Sequence, residues 1–297
     1  MIDVALLTEK RYLKSKSKSW YIQNILAEDS LIQHELEKLD ITSKRVAWDD
    51  KFVPSEFKFA LFRTTWNYFD EINKFLLFLD TCKGQVGLIN PYSQIIWNLD
   101  KRYLLEMENK GVNIVKTYIA KKNQSETLRE ISNNCGWSDI IIKPCISAAA
   151  WNTHYIQNKN IENYHSVFQK LIAHHDMMIQ PFQKNVVLMG EVSFMIVNGG
   201  CTHAVLKKAK KGDFRVQDDF GGSVEPYQPS KEEVCFVESI ITRLPFRCLY
   251  ARVDVILDND NNLALSELEL IEPEMWFRFN SSAAKKLASG IQSYLSG

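Results

Sequence analysis

The stretch Tyr250-Ala251-Arg252-Val253-Asp254-Val255-Ile256-Leu257, the polar run Asp258-Asn259-Asp260-Asn261-Asn262, and then Leu263-Ala264-Leu265-Ser266-Glu267-Leu268-Glu269-Leu270-Ile271-Glu272-Pro273 decide how this chain is read. Two β-prone runs joined by turn-forming residues predict an antiparallel hairpin. Side chains alternate faces along a strand, so Arg252 and Asp254 share one face of the first arm, and Glu267 and Glu269 share one face of the second. In register, three carboxylates converge beside one guanidinium. Like charges so placed repel unless a cation neutralises them, and hard divalent cations such as magnesium take carboxylate oxygens. On the hairpin alone, a magnesium-nucleotide site and a solvated acidic sheet face both fit.

Outward from the hairpin, residues 1–90 alternate strand-like runs at 4–7, 45–48, 57–62 and 85–91 with helix-periodic runs at 20–39 and 69–79. That alternation predicts an α/β domain whose parallel sheet is covered on both faces. Pro91 ends the last of these strands, since proline cannot continue the ladder, and sets the first boundary. Residues 91–180 read as an α+β unit, with a helix over 101–110 stopped by Gly111, strands over 112–119, 139–144 and 177–182, and a helix over 161–174. Residues 181–297 form a second α+β unit dominated by strands at 192–197, 204–208 and the hairpin arms, with a helix over 231–244. Residues 14–19 alternate Lys and Ser and read as a loop.

The length of 297 residues corresponds to about two domains of roughly 150. With 45% AVILMFWYC residues and 24% charged ones, the chain can bury substantial cores. Lys plus Arg equals Asp plus Glu at 36 each, so no overall positive field exists to draw nucleic acid or acidic lipid. Cys82, Cys135, Cys145, Cys201, Cys235 and Cys248 show no CxxC pair and read as reduced thiols. No apolar run approaches the roughly 20 residues that span a bilayer, and Met1-Ile2-Asp3-Val4 lacks the basic leader of a secretory signal. A cytoplasmic protein is expected. The histidines show no metal spacing, and neither a Ser-His-Asp set nor Gly-x-Ser-x-Gly is present, which disfavours a hydrolase.

Taken with the rest of the chain, the hairpin resembles the magnesium motif of the ATP-grasp superfamily of carboxylate ligases, where an Asp on one strand and Glu-x-Asn or Glu-x-Glu on the next hold the ions. Asp254, Glu267 and Glu269 occupy those places. Asp100-Lys101 resembles the family's first phosphate-binding lysine, and Ile141-Ile142-Lys143-Pro144 the second. Cys145-Ile146-Ser147-Ala148-Ala149-Ala150-Trp151-Asn152-Thr153 stands where most members carry a glycine-rich flap over the phosphates. It holds no glycine, and its Ser-Ala-small pattern is similar to the branch of O-ureido-serine cyclo-ligases of cycloserine biosynthesis. A small-residue turn packed under Trp151 is the other reading of this loop. Ile179-Gln180-Pro181-Phe182 resembles the hinge strand that meets adenine, and Gly190-Glu191 the turn opening the next subdomain, with Glu191 as a ribose or lysine partner. Phe214-Arg215-Val216-Gln217, followed by Gly221-Gly222, is similar to Arg-x-Asn-x-x-x-Gly-Gly of glutathione synthetase and ribosomal-protein glutamate ligase; Lys207 falls where the former has an arginine. Arg63-Thr64-Thr65-Trp66-Asn67-Tyr68 resembles a stretch of the cyclo-ligase branch.

The resemblance implies an ATP-grasp fold and an ATP-dependent, ADP-forming ligase that joins a carboxylate to an amine through an acyl phosphate. ATP and Mg2+ are the implied cofactors, with small-molecule carboxylate and amine substrates. Asp254, Glu267 and Glu269 would hold magnesium; Lys101, Lys143, Ser147, Ala148, Gln180, Phe182 and Glu191 the nucleotide; Arg252, Arg215 and Lys207 the charge at the acyl centre. Trp66, Tyr68 and Gln217 would meet the substrate together with Arg63, a bidentate carboxylate clamp at the carboxyl end of its strand. Ring closure within one molecule is the alternative reaction. From another class, the chain would be a catalytically silent nucleotide-binding regulatory module, against which its full set of acids and cations argues. Nucleic-acid and membrane partners are not expected, and the sequence is compatible with a homo-oligomer.

Overall fold

The computed structural model describes residues 1–297 except 14, 16, 18, 149, 211, 214, 217–220 and 297. The first strand, β1 (Ile2–Thr8), is buried from Val4 onward, so both of its faces are covered. It lies between β2 (Ser43–Ala47) and β3 (Phe57–Thr64), with β4 (Gly87–Ile89) beyond β3, and every pair is parallel, as the alternating pattern predicts. Helix α1 (Lys10–Leu13) follows β1. On one face Val4 and Leu6 meet Ile32 and Leu36 of α2 (Trp20–Glu37); on the other, Ala5 and Leu7 meet Phe75 and Leu79 of α3 (Ile72–Cys82). The period-two alternation thus assigns one helix to each face.

Two further helices, α4 (Tyr92–Leu99) and α5 (Tyr103–Asn109), lead into a second sheet. The helix expected over 101–110 begins only at Tyr103, because the Asp100 carboxylate accepts the Arg102 N–H at 2.9 Å and holds Lys101 in the preceding turn. The sheet has the order β5-β8-β6-β7, from β5 (Tyr118–Ala120), β6 (Ile140–Pro144), β7 (His154–Ile156) and β8 (Met177–Pro181), paired antiparallel. It packs on α6 (Leu128–Cys135), which opens with a Thr127/Glu130 capping box, and on α7 (His165–Ile172). Two expectations change here. Of the strand foreseen over 112–119 only the end is in the sheet, and Ile114 instead bridges Leu265, its apolar neighbours serving burial against the hairpin. The helix foreseen over 161–174 starts as a tight 3-10 segment, Asn158–Tyr164, and becomes α-helical at His165.

After α8 (Lys184–Met189) comes an antiparallel sheet of order β11-β10-β9-β12-β13. Its strands are β9 (Glu191–Val197), β10 (Gly200–Lys208), β11 (Ser223–Tyr227), β12 (Tyr250–Leu257) and β13 (Leu263–Glu269), with α9 (Lys231–Thr242) packed against it and α10 (Ser281–Ser296) closing the chain. β13 is an edge strand whose outer side is met by residues 113–115 near Leu263 and Leu265 and, at its far end, by side chains of α4 and α5. Asn98 donates to Leu268 O at 2.8 Å and accepts from Leu270 N at 2.7 Å, while the Tyr103 hydroxyl accepts from Leu268 N at 2.8 Å. Asn90, just past β4, donates to Tyr250 O and Leu270 O and so ties the parallel sheet to the hairpin. The cysteines are free, and among the described residues no helix is long and apolar enough to cross a membrane.

Candidate active site

Strands β12 and β13 pair with Arg252 opposite Glu269 and Asp254 opposite Glu267, and a bulge follows Asp254. This register brings oxygens of Asp254, Glu267 and Glu269 within 4.8 Å of one another. Cations surround them. Arg252 donates to Asp254 through Nε at 2.9 Å and Nη2 at 3.0 Å, and it also pairs with Glu269. Lys207 Nζ lies 3.0 Å from Asp254 and 2.5 Å from Glu191, and Lys101 Nζ lies 2.5 Å from Glu267. Burial alone would push Asp254 up, but Arg252 and Lys207 outweigh it and hold the carboxyl below its usual range. Glu267 is likewise held low against burial by Lys101 and Lys143. Glu269 goes the other way: burial dominates, Glu267 and Asp254 add to it, and its carboxyl is pushed up to about 7 despite Arg252.

These groups form one wall of a cavity of about 630 Å3 among the three sheets. The second sheet contributes Lys143 at the end of β6 and Gln180 on β8, with Phe182 just beyond. Burial pushes the Lys143 ammonium below its usual range, Glu267 opposing and Lys101 adding to the shift. Among the described residues Lys143 makes no ion pair, so its charge is available to a ligand. The Gln180 amide is fixed by Thr117 at 2.9 Å, and the Phe182 ring stacks on Tyr155 with centroids 4.1 Å apart. Ser147 and Ala148 line the same space, the Ser147 hydroxyl donating to Pro144 O at 3.0 Å. Beyond them Ala150 and Asn152 have positive φ, 54° and 51°, and the Trp151 ring packs on Phe69 and His175. Arg215 also lines the cavity, paired with Asp213 at 2.7 Å.

The substrate-side expectations fare differently. Trp66 and Tyr68 line the cavity, and the Trp66 indole donates to Glu272 O at 2.9 Å. Arg63 does not reach it. Only 2% exposed, Arg63 is paired with Glu28 and Asp29 of α2 and donates to Pro273 O at 3.4 Å. A buried guanidinium needs permanent carboxylate partners, and two acids on the helix covering its strand supply them; the substrate-clamp expectation is therefore corrected to an internal ion-pair anchor. Gln217 lies outside the described residues. The sequence reading passed over Glu272 and Trp276, which both line the cavity. Trp276 has φ 44°, and its ring stands 5.2 Å from the Arg252 guanidinium carbon and 5.9 Å from Lys207 Nζ. The backbone on either side is held by Glu28, which accepts from Met275 N at 2.9 Å and Phe277 N at 3.1 Å.

The family model described as prokaryotic glutathione synthetase, ATP-grasp domain, matches residues 104–274. The chain belongs to the ATP-grasp family. It is accordingly an ATP-binding ligase that forms a carbon-nitrogen bond, and the silent regulatory module is set aside. A second model, D-cycloserine synthetase DcsG, N-terminal domain, matches residues 4–90. The cycloserine biosynthesis protein DcsG of Streptomyces lavendulae is 24% identical over 270 residues, spanning 84% of this chain and 88% of that protein. The crystal structure of D-cycloserine synthetase DcsG has a TM-score of 0.85 at 21% identity, covering 98% of this chain and 99% of that one. D-alanine–D-alanine ligase from Bacillus anthracis has a TM-score of 0.67 at 14% identity, covering 99% of this chain and 97% of that one. These likenesses show the ATP-grasp fold in this chain, a glutathione synthetase-like member with its sequence relative in the cycloserine branch.

Proposed function

We propose that this ligase phosphorylates a small-molecule carboxylate with ATP and lets a nitrogen of the same molecule displace the phosphate, closing a ring. The carboxylate-amine ligation itself follows from the family; the observation that carries the site assignment is the convergence of three hairpin carboxylates with Lys101, Lys143 and Lys207 in one cavity. An all-oxygen donor set fits a hard divalent cation, and Asp254, Glu267 and Glu269 would hold magnesium. When bound, magnesium supplies charge neutralisation at phosphate oxygens.

The chain's own groups do the rest. Lys143, and Lys101 released from Glu267, neutralise phosphate; Ser147 and Ala148 cover it; Gln180 and Phe182 bound the adenine side; Glu191 orients Lys207. Arg252 and Lys207, steadied by the Trp276 ring, and Arg215 at the cavity wall face the centre where negative charge builds. In balance, a carboxylate oxygen attacks the γ-phosphorus and ADP leaves. The nitrogen then bonds to the acyl carbon, the bond to the phosphate oxygen breaks, and inorganic phosphate departs while the nitrogen's proton passes to solvent. Residues 1–90 would form the substrate side, 91–180 the lysine and loop side, and 181–297 the metal hairpin. Ring closure is supported by the likeness of residues 4–90 to the N-terminal domain of a D-cycloserine synthetase, and O-ureido-serine is the substrate to try first.

The test is ADP and phosphate release with O-ureido-serine and a panel of amino acids, using wild type and the Glu267→Gln/Glu269→Gln double variant. The variant is expected to fold and to lose about 100-fold or more in rate. Wild-type turnover by the double variant would reject the site.

A further inference from the structure

Beyond β13 the chain leaves the ladder, and Glu272 settles in the cavity wall only 5% exposed. Its surroundings differ from those of the hairpin acids. Asp254, Glu267 and Glu269 each have a lysine or arginine partner, whereas among the described residues no cationic side chain pairs with Glu272. The Tyr68 hydroxyl is its hydrogen-bond partner. A carboxylate buried without a counter-ion is costly. Burial, reinforced by Glu269, pushes its carboxyl up to about 8.

The walls around it are aromatic. Trp66, pinned to the Glu272 carbonyl, meets Tyr12 edge-on with centroids 5.8 Å apart and Tyr21 at 6.2 Å, and all of these rings line the cavity along with Tyr68. An acid lining one cavity with these rings suits an organic ammonium, whose charge favours the ionised carboxylate and which gains from the ring quadrupoles as well. A strongly hydrated metal ion is better served by the three-acid cluster on the hairpin.

We propose that Glu272, with Tyr68 and Trp66, recognises a free primary ammonium group of the substrate that takes no part in the bond being formed, so that the enzyme selects an amino-acid-like zwitterion. This rests on the ligase reading above. Glu272 is thereby a specificity residue, and the cavity end nearest the parallel sheet is the substrate's ammonium pocket.

The test compares O-ureido-serine with its N-acetyl derivative on the full chain with Mg-ATP, following phosphate release, and binding by calorimetry with Mg-ADP. Wild type should reject the N-acetyl form by tenfold or more. Glu272→Gln should raise the KM for O-ureido-serine by tenfold or more, bring the two forms within threefold of each other, and leave the KM for ATP and the magnesium midpoint unchanged. Glu272→Asp should keep a preference for the free amine. Equal use of the two forms by wild type, an unaltered preference in Glu272→Gln, or a shifted magnesium midpoint with intact preference would each overturn the proposal. If O-ureido-serine supports no turnover, the substrate choice fails on its own, and the same free-versus-acetylated comparison is made on whichever amino acid of the panel does support phosphate release. Failure of every free amino acid to bind or turn over would overturn the ammonium pocket as well.

Discussion

Removing the Arg63 guanidinium should cost stability rather than substrate affinity. Arg63 and Asp29 are almost wholly buried, and Glu28 nearly so. Burial already pushes the Asp29 carboxyl up although Arg63 and Arg45 oppose it. Replacing Arg63 with Met leaves the Arg45 pair to Asp29 at 2.7 Å and the two backbone N–H donors to Glu28, but strips the shared cation from between two acids. Breaking one partner out of a buried pair costs about 3–5 kcal/mol, and the surviving partners place Arg63→Met near the lower end, about 3 kcal/mol. Urea unfolding followed by circular dichroism reads this directly. A Glu28→Gln/Arg63→Met double variant should lose less than the sum of the single losses, because the second change removes a charge the first left unpaired. An Arg63→Met variant that unfolds within about 1 kcal/mol of wild type while the KM for the carboxylate substrate rises tenfold would instead mark a direct clamp and refute the anchor.

Gly190 has φ 91°, and a Cβ there would stand 2.4 Å from the backbone oxygen of Lys207, so Gly190→Ala must push β10 away from the hairpin acids. We expect a lowered kcat and a loss of about 2 kcal/mol or more by urea unfolding, and a neutral result on both would contradict the packing. In the ligand-free chain, Glu269 and Glu272 keep protons up to about 7 and about 8, whereas the unfolded chain releases them near 4.5. The folded state therefore binds more protons across that window, and these two groups lower stability as pH rises from about 5 to about 8. The urea midpoint should fall with pH in wild type and fall less in Glu272→Gln; parallel profiles would contradict the burial of Glu272.

The hairpin was legible because a strand face repeats every two residues, and that local rule placed Arg252, Asp254, Glu267 and Glu269 together without any long-range knowledge. The parallel first sheet was legible from short strand-like runs that alternate with helix-periodic ones along residues 1–90. Arg63 was misread because its partners, Glu28 and Asp29, lie on a helix that packs over its strand, and nothing local marks which charges of that helix turn inward. Glu272 and Trp276 were missed because they follow the last alternating position, where face cannot be counted and placement depends on Glu28, Trp66 and His203 holding the backbone. The docking of α10 beside α2 joins the two ends of the chain, a contact that no periodicity announces.

In the proposed reaction a substrate carboxylate is activated by phosphoryl transfer from ATP at the hairpin site. The most direct measurement supplies O-ureido-serine labelled with 18O in its carboxylate, together with Mg-ATP, and analyses the released phosphate by mass spectrometry. Attack of a carboxylate oxygen on the γ-phosphorus, followed by displacement at the acyl carbon, carries one labelled oxygen into inorganic phosphate, with ADP as the other product. Phosphate that leaves with no label, or AMP with pyrophosphate in place of ADP and phosphate, would contradict activation of the carboxylate as an acyl phosphate.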